Sequence, residues 1–268
     1  MIKVEYISDI EGIMEIIKDQ EYNEKVGRYR STYLYRGLPN AEYNLITSLR
    51  QNCKEKHADL EVSILRNFTK YAAIENPELS KSIWSQMIIG QHYGLPTRLL
   101  DWTYSPLIGL HYATSGEDID DMDKHDSVLW KINVVETNRL LPEKYRKELE
   151  DNRAFLFTVD MLDHLVEDTE SYDADMAGNS MVLIEPPSSN QRIINQYSFF
   201  SIVPKQMEDI EAFLENENIT VVKYVIKKEL RWRVRDMLDQ MNINERIVYP
   251  GLDGLSQWLK RHYYVKES

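Results

Sequence analysis

An arginine followed by a glycine closes a run of β-branched and aromatic residues, at Tyr35-Arg36-Gly37. A planar guanidinium at the end of a strand can hold a phosphate or a carboxylate through two parallel hydrogen bonds. The glycine that follows has no side chain, so the backbone at Gly37 can be approached closely. A structural ion pair of Arg36 is the alternative interpretation, and the tripeptide alone leaves both open.

The densest group of polar side chains lies in the segment QHYGLPTRLLDW, residues 91–102. An amide, an imidazole, a hydroxyl, a guanidinium and a carboxylate stand there among apolar residues, on Gln91, His92, Thr97, Arg98 and Asp101. Shielding such groups from water together is costly unless they pair or contact a ligand. Either Arg98 and Asp101 form a structural ion pair and His92 is a satisfied core residue, or the group faces a ligand pocket.

A third polar group follows in QRIINQYSFF, residues 191–200. Alternate side chains of an extended strand share one face, which predicts that Arg192 and Gln196 point together at a ligand. The alternative is a polar strand face that is open to water.

Helices and one loop are expected to position these groups. The N-terminus predicts a strand from Ile2 to Tyr6 and then a helix that Ser8 and Glu11 open as a capping box. Apolar stripes predict a helix over residues 60–72 and another from Ile83 to near Gly94, whose last turn places Gln91 and His92 inward.

The segment LPTRLLDWTYSP, residues 95–106, fits neither the helical nor the strand period and is predicted as a buried loop. A loop inside a core needs unusual partners for its backbone polar groups, which makes this segment a good site candidate. Ser105 and Pro106 are expected to open the next helix as its N-cap and first residue.

The second half of the chain is rich in strand patterns. An acidic run at residues 117–126 is predicted as a solvated loop, and strands are predicted in SVLWKINVV, AFLFTV, MVLIEP, YSFFSIVP and ITVVKYVI. Two helices close the chain, one of them with Leu252, Leu255 and Leu259 as its apolar stripe. The order of elements predicts an α+β fold, with a mixed, mostly antiparallel sheet, a helical N-terminal half and C-terminal helices packed on the sheet.

Composition excludes several classes of protein. The net charge of −12 opposes attraction to a nucleic-acid backbone, so binding of duplex nucleic acid is not expected. The apolar runs are far shorter than the roughly 20 residues of a membrane span, and the N-terminus has no signal-peptide core. A lone cysteine, Cys53, suits a reducing compartment, so a cytoplasmic protein without a membrane partner is expected.

No common motif of enzymes is present in the sequence. The P-loop, the Rossmann glycine fingerprint, the Gly-x-Ser-x-Gly elbow and the His-Glu-x-x-His zinc motif are missing. A metal-dependent nuclease would have to use the acidic run at residues 117–126, which lacks paired ligands at fixed helical spacing. A bound metal is therefore not expected.

The order of these motifs resembles the FRG domain. The resemblance rests on Tyr35-Arg36-Gly37, Ser48-Leu49-Arg50, the thirteen residues 91–103, Arg192 with Gln196 and Phe199, and the closing YPGLDGL at residues 249–255. It covers about residues 25–260, which predicts one domain over residues 1–268 with residues 1–24 as a strand-helix extension. The family is a bacterial and phage-associated module, so the resemblance implies a part in defence or toxin systems.

A fainter likeness to ADP-ribosyltransferases lies in the aromatic-Arg-Gly strand end. It implies that NAD is a possible substrate, that Arg36 binds its phosphates and that Tyr93 or Phe199 stacks on the nicotinamide. The residues assigned to NAD binding are Arg36, Gly37, Tyr93, Thr97, Arg98, Arg192 and Phe199. The catalytic candidates are His92 to orient a ribose hydroxyl, Asp101 as a base, and Gln196, with Glu185 as the other candidate for contacting the ribose.

Two hypotheses of function follow. The first is an NAD-using transferase or glycohydrolase, acting as a toxin or defence effector. The second is a non-enzymatic module that binds a nucleotide, an oligonucleotide or a phage or cellular protein with the same polar cluster. A nucleotide-like small molecule is the expected partner in both.

Overall fold

The structure, a computed structural model, describes residues 1–72, 74, 82–116, 118–188, 190–216 and 219–266. The strands are β1 (Lys3–Ile7), β2 (Glu21–Asn23), β3 (Arg28–Arg30), β4 (Tyr33–Leu38), β5 (Leu99–Thr103), β6 (Ser127–Asn133), β7 (Val182–Ile184), β8 (Ser198–Ile202) and β9 (Val221–Ile226). The helices are α1 (Ile10–Lys18), α2 (Ser48–Cys53), α3 (His57–Ala72), α4 (Ile83–His92), α5 (Pro106–Thr114), α6 (Val134–Arg139), α7 (Glu143–Asp151), α8 (Val159–Leu165), α9 (Thr169–Met176), α10 (Gln191–Gln196), α11 (Ile210–Asn216), α12 (Lys228–Gln240), α13 (Glu245–Val248) and α14 (Leu252–His262).

Within these residues, seven strands form one sheet in the order β1-β9-β6-β4-β5-β8-β7, and β2 and β3 form a separate hairpin. β1 runs parallel to β9, and the other neighbours in the sheet are antiparallel. The predicted α+β class with a mixed, mostly antiparallel sheet is therefore confirmed. The N-terminal strand β1 is part of this sheet, although the sequence suggested an extension.

Both faces of the central strands are covered. Leu34 and Trp130 belong to one apolar cluster, whereas their strand neighbours Tyr35 and Leu129 belong to another. Side chains alternate between the two faces of a strand, so the clusters lie on opposite sides of the sheet. Every residue of β6 is buried, and its apolar run Val128-Leu129-Trp130 does not alternate with polar residues.

The predicted buried loop at residues 95–106 is wrong in its central part. Leu99–Thr103 forms β5, which pairs with β4 on one side and β8 on the other. Asp101 is the one exposed position of this strand, between buried neighbours. A strand that is buried on both faces loses the period of two, so its sequence does not show the expected alternation.

The start of the helix after this strand agrees with the sequence. The Ser105 side chain accepts a hydrogen bond from the backbone N–H of Ile108, and Pro106 is the first residue of α5. The cap of α1 was placed one residue too early, because the Asp9 side chain, not Ser8, accepts from the N–H of Gly12.

One predicted strand has a different structure, and one predicted loop is partly packed. The segment AFLFTV contributes a single bridge, Phe157 with Ile184, because Thr158 caps the helix α8 that follows. The acidic run consists of turns, and most of its described residues are exposed, as predicted. It also contacts the start of α12: Met122 is buried, and the Asp126 carboxylate accepts from Lys227 Nζ at 2.7 Å. Glu117, the first residue of that run, lies outside the described residues.

The last helix is only partly packed. Leu252 is 79% exposed and Leu259 is 39% exposed, so the predicted apolar stripe of α14 does not wholly face the core. No helix in the described part of the chain is long and apolar enough to span a bilayer.

Candidate functional site

Arg36 and Asp101 meet where β4 and β5 lie side by side. The Arg36 Nη1 donates to the Asp101 backbone oxygen at 2.8 Å and to its carboxylate Oδ2 at 3.4 Å. The Arg36 side chain is 18% exposed, and the Asp101 side chain is 53% exposed. Arg36 therefore lies against the central segment, with its guanidinium at the edge of solvent.

The charge of Arg36 is only partly balanced. Burial lowers the pKa of Arg36, and the Asp101 carboxylate offsets part of this effect. The buried Nε of Arg36 has no acceptor, and no described residue accepts from its Nη2. Since the long carboxylate contact is a weak hydrogen bond, a stronger anion near the guanidinium would be favourable.

Gly37 lets a helix approach the sheet next to Arg36. A Cβ at Gly37 would lie 2.0 Å from the backbone oxygen of Gly109 and 2.4 Å from the backbone nitrogen of Ala113, both in α5. No side chain fits in that space. The sequence correctly indicated a close approach at Gly37, but the approaching group is α5, which brings Tyr112 beside Arg36.

A chain of hydrogen bonds orients the Asp101 carboxylate. Gln91 Nε2, in the last turn of α4, donates to Asp101 Oδ2 at 3.0 Å. The buried Thr97 hydroxyl donates to Gln91 Oε1 at 2.7 Å, and the Thr97 N–H donates to Ser48 Oγ at 3.1 Å. Thr97 thus holds Gln91 and does not itself reach the solvent side of the site.

Arg192 and Gln196 lie on α10, not on a strand as predicted. Asn190 caps this helix by accepting from the N–H of Ile193 at 2.9 Å. Residues four apart share one face of a helix, so Arg192 and Gln196 still point the same way. Gln196 is fixed by donating from Nε2 to the Val248 oxygen at 3.1 Å, and its own backbone oxygen accepts from Thr103.

Two tyrosines that the sequence did not single out as site residues complete the site. The ring of Tyr112 on α5 lies edge-on to that of Tyr249, which follows α13, with 6.5 Å between the ring centroids. The Tyr249 ring lies 5.2 Å from the guanidinium carbon of Arg192, a cation–π distance. Burial raises the pKa of both phenols, so both are neutral at physiological pH.

These groups surround one cleft of about 280 Å³, called the arginine cleft below. Its chemically active lining is formed by Arg36, Gln91, Asp101, Tyr112, Arg192 and Gln196. Among the described lining residues, two guanidinium groups face one carboxylate. The cleft therefore has an excess of positive charge in a chain of net charge −12.

Arg98 does not belong to this cleft, and the possible pair of Arg98 with Asp101 is wrong. Arg98 donates from Nε to Glu61 Oε1 at 2.7 Å and from Nη1 to Asp173 Oδ1 at 2.6 Å. All three side chains are buried. Burial alone would lower the pKa of Arg98, but the two carboxylates outweigh burial and raise it. Arg98 is a structural cation.

The predicted stacking residues also lie elsewhere. Tyr93 is 76% exposed and does not line the arginine cleft. Phe199 lies 6.4 Å from the ring of Tyr104, and it lines a separate groove together with Glu185. Neither Phe199 nor Glu185 contacts the arginine cleft.

His92 is a neighbour of the cleft rather than part of its lining. Its backbone oxygen accepts from Arg192 Nη1 at 3.5 Å. Burial and the charge of Arg192 lower the pKa of His92, against a smaller opposite effect of Asp101. The imidazole is therefore neutral at physiological pH, and its backbone is the part that holds Arg192.

No three His, Cys, Asp or Glu side chains in the described ranges are grouped closely enough to hold a metal ion. The side chains of the arginine cleft instead offer guanidinium, amide and phenol groups. Such donors recognise oxyanions.

The comparison with protein families gives one match. A family model described as FRG domain matches residues 31–122, which include Arg36, the central segment and Tyr112. This confirms the FRG resemblance for that part of the chain, while its extension to Arg192 and Tyr249 stays a prediction. No curated protein and no solved structure matched the chain.

Proposed function

We propose that this chain, whose residues 31–122 match the FRG domain, binds a phosphorylated, nucleotide-like small molecule in the arginine cleft. The observation that carries the proposal is the convergence of Arg36 and Arg192, from a strand and a helix far apart in sequence, on one cleft. Guanidinium groups bind phosphates through paired, charge-assisted hydrogen bonds. A structural account of Arg36 alone leaves its partly balanced charge unexplained.

The size of the cleft limits the ligand. Pockets for small molecules usually have volumes of about 300–1,000 Å³, and the arginine cleft of about 280 Å³ lies at the lower end. A mononucleotide, or one half of a dinucleotide, suits this space. The neighbouring Gln91 and Tyr112 offer hydrogen bonds for hydroxyl groups of a sugar.

Arg36→Gln is expected to weaken binding of AMP or ADP-ribose by about 10- to 100-fold, because a hydrogen bond to a charged group contributes roughly 1.5–3 kcal/mol. Glutamine keeps a polar side chain but loses the charge and the forked geometry. The measurement is isothermal titration calorimetry of the full chain with AMP, ADP-ribose and NAD.

Arg28→Gln is the matched control, since Arg28 lies exposed in the β2–β3 hairpin and its loss removes the same charge. This control is expected to keep the affinity of the original chain. The proposal fails if none of the three ligands binds, or if the Arg36 variant, folded by circular dichroism, binds as well as the control.

A second candidate is an NAD-consuming activity, which one observation favours. Both side-chain hydrogen bonds to Asp101 end on Oδ2, and no described residue donates to Oδ1. A half-exposed carboxylate beside a phosphate-binding arginine could stabilise positive charge that develops on a ribose. In that reaction the bond between ribose C1′ and nicotinamide breaks, nicotinamide leaves, and water adds to C1′ and loses its proton to solvent.

Asp101→Asn separates the two candidates. If the chain only binds, removal of the negative charge is expected to strengthen AMP binding by several-fold, since a unit charge about 4 Å away contributes about 1 kcal/mol in water. If the chain consumes NAD, the same variant is expected to lose release of nicotinamide, measured by chromatography, while ADP-ribose binding is retained. An original chain that binds NAD without releasing nicotinamide excludes the enzyme.

A further inference from the structure

A second cleft of about 350 Å³ lies between the end of α5, α12 and α14. Its lining includes Ser115, Met122, Arg235, Gln257, Lys260 and Arg261, and it is called the lysine cleft below. We propose that the lysine cleft is a separate binding site for a small organic anion, with one carboxylate or phosphate group and an apolar part. This inference is independent of the function proposed for the arginine cleft.

The floor of the lysine cleft is a buried network of ion pairs. Arg261 donates to both oxygens of Glu245, at 2.7 and 2.9 Å, and to both oxygens of Asp239, at 2.7 and 2.8 Å. Arg235 shares the same Glu245 carboxylate through Nη2. The Glu245 carboxylate thus accepts from two guanidinium groups. Arg261 has two carboxylate partners, whereas Arg235 has one.

The buried positive charge of Arg235 is only partly compensated by its hydrogen-bond acceptors. It is 1% exposed, and its Nε has no acceptor. Its Nη1 donates to the Nδ1 and backbone oxygen of His111, at 2.8 and 3.3 Å, and to Ser115 Oγ at 3.4 Å, all neutral acceptors. Burial lowers the pKa of Arg235 to about 10, against a smaller opposite effect of Glu245. A negative charge in the cleft would stabilise this guanidinium.

Lys260 supplies a cation at the mouth of the cleft. It is exposed on α14 and makes no ion pair with a described residue. Gln257 lies three residues earlier, so both side chains share one face of the helix. An entering oxyanion can accept hydrogen bonds from the ammonium and from the amide together.

The charge and the apolar wall together define the class of ligand. Arg235, Lys260 and Arg261 line the cleft together with Glu245. Glu245 and Asp239 pair with the two arginines, so Lys260 is the excess positive charge among the described residues of this group. A cation is therefore disfavoured. Met122, which is 3% exposed, and Ile119 form an apolar wall, which an aromatic or aliphatic part of the ligand can cover.

The two clefts share one wall. Tyr249 lines the lysine cleft, lies under Arg192 of the arginine cleft, and has its ring 6.5 Å from that of Tyr112. Their polar anchors are different residues, Lys260 in one case and Arg36 in the other. Binding in the two clefts can therefore be measured separately.

The test uses benzoate and phenyl phosphate with the full chain, by isothermal titration calorimetry. We expect at least one probe to bind with a Kd of about 1 mM or lower, which corresponds to about 4 kcal/mol. Lys260→Glu is expected to weaken this binding at least tenfold, because the variant places a carboxylate at the mouth of the cleft. Binding of one probe alone identifies the anionic group as carboxylate or phosphate.

Two control variants define the site. Lys147→Glu makes the same change in net charge on the exposed face of α7 and is expected to leave the affinity unchanged. Arg36→Gln is expected to leave unchanged the binding that Lys260→Glu weakens, whether or not phenyl phosphate also enters the arginine cleft. The inference is overturned if neither probe binds up to about 20 mM, if Lys260→Glu binds like Lys147→Glu, or if Arg36→Gln abolishes binding of the probe.

Discussion

Replacing Gly37 with alanine is expected to lower the free energy of unfolding by about 3 kcal/mol or more, at or beyond the upper end of the usual cost of overpacking. The added Cβ would lie 2.0 Å from the Gly109 oxygen and 2.4 Å from the Ala113 nitrogen. Both are backbone atoms of α5, so no side-chain rotation can relieve the contact. Either α5 or β4 must move.

The same movement is expected to damage the arginine cleft. Tyr112 belongs to α5, and Arg36 precedes Gly37 in β4, so separating these elements pulls the phenol away from the guanidinium. The measurement is urea denaturation, followed by calorimetry with AMP on the folded fraction. A weaker ligand affinity is expected together with the lower stability.

Gly12→Ala is the matched control. A Cβ at Gly12 meets side-chain carbons of Ile7 at 3.1 and 3.3 Å, which can shift slightly, and alanine gains up to about 1 kcal/mol of helix propensity in α1. The stability of this variant is expected to stay within about 1 kcal/mol of the original. Equal stability of the two alanine variants would contradict the described packing of α5 on β4.

Gly37 also shows which part of the packing can be predicted from the sequence. A glycine directly after an arginine predicts a close approach, because other residues carry a Cβ. The sequence does not say which group approaches, since Gly109 and Ala113 lie in a helix more than seventy residues later. That choice depends on how α5 packs on the sheet, which is set by many distant contacts.

The pairing of Arg192 with Gln196 was predicted through the wrong element. Positions four apart share a face both in a strand and in a helix, so the shared direction did not depend on the type of element. Asn190 favours a helix over a strand in this segment, because its side chain caps the helix Gln191–Gln196. The segment predicted as a strand begins at Gln191 and does not include this cap.

Tyr112 was missed because its importance comes from tertiary contacts. It lies in the last turn of α5, where an aromatic residue is typical of packing. Its ring contact with Tyr249 joins residues far apart in sequence. No local spacing records such a contact, whereas the Ser105 cap and Pro106 are local features that the sequence predicted correctly.

Arg98→Met is expected to destabilise the protein by about 3–5 kcal/mol, the usual cost of breaking a buried ion pair. The substitution leaves the carboxylates of Glu61 and Asp173 buried near each other without their shared cation; they are 3% and 1% exposed. The Lys205 Nζ lies 3.9 Å from Asp173, too far for a strong hydrogen bond. Repulsion between the two carboxylates adds to the cost of their burial.

Urea denaturation of Arg98→Met and of the original chain measures this loss. An unchanged free energy of unfolding would contradict the role of Arg98 as the shared partner of the two buried carboxylates.

A second substitution separates structure from ligand binding at Arg98. Glu61→Gln added to Arg98→Met removes one of the two unpaired charges and is expected to recover part of the lost stability at pH 7. Because Arg98 lies outside the arginine cleft, the folded double variant is expected to bind AMP like the original chain. A loss of AMP binding with recovered stability would place Arg98 in the ligand site after all, against the hydrogen bonds that hold it to Glu61 and Asp173.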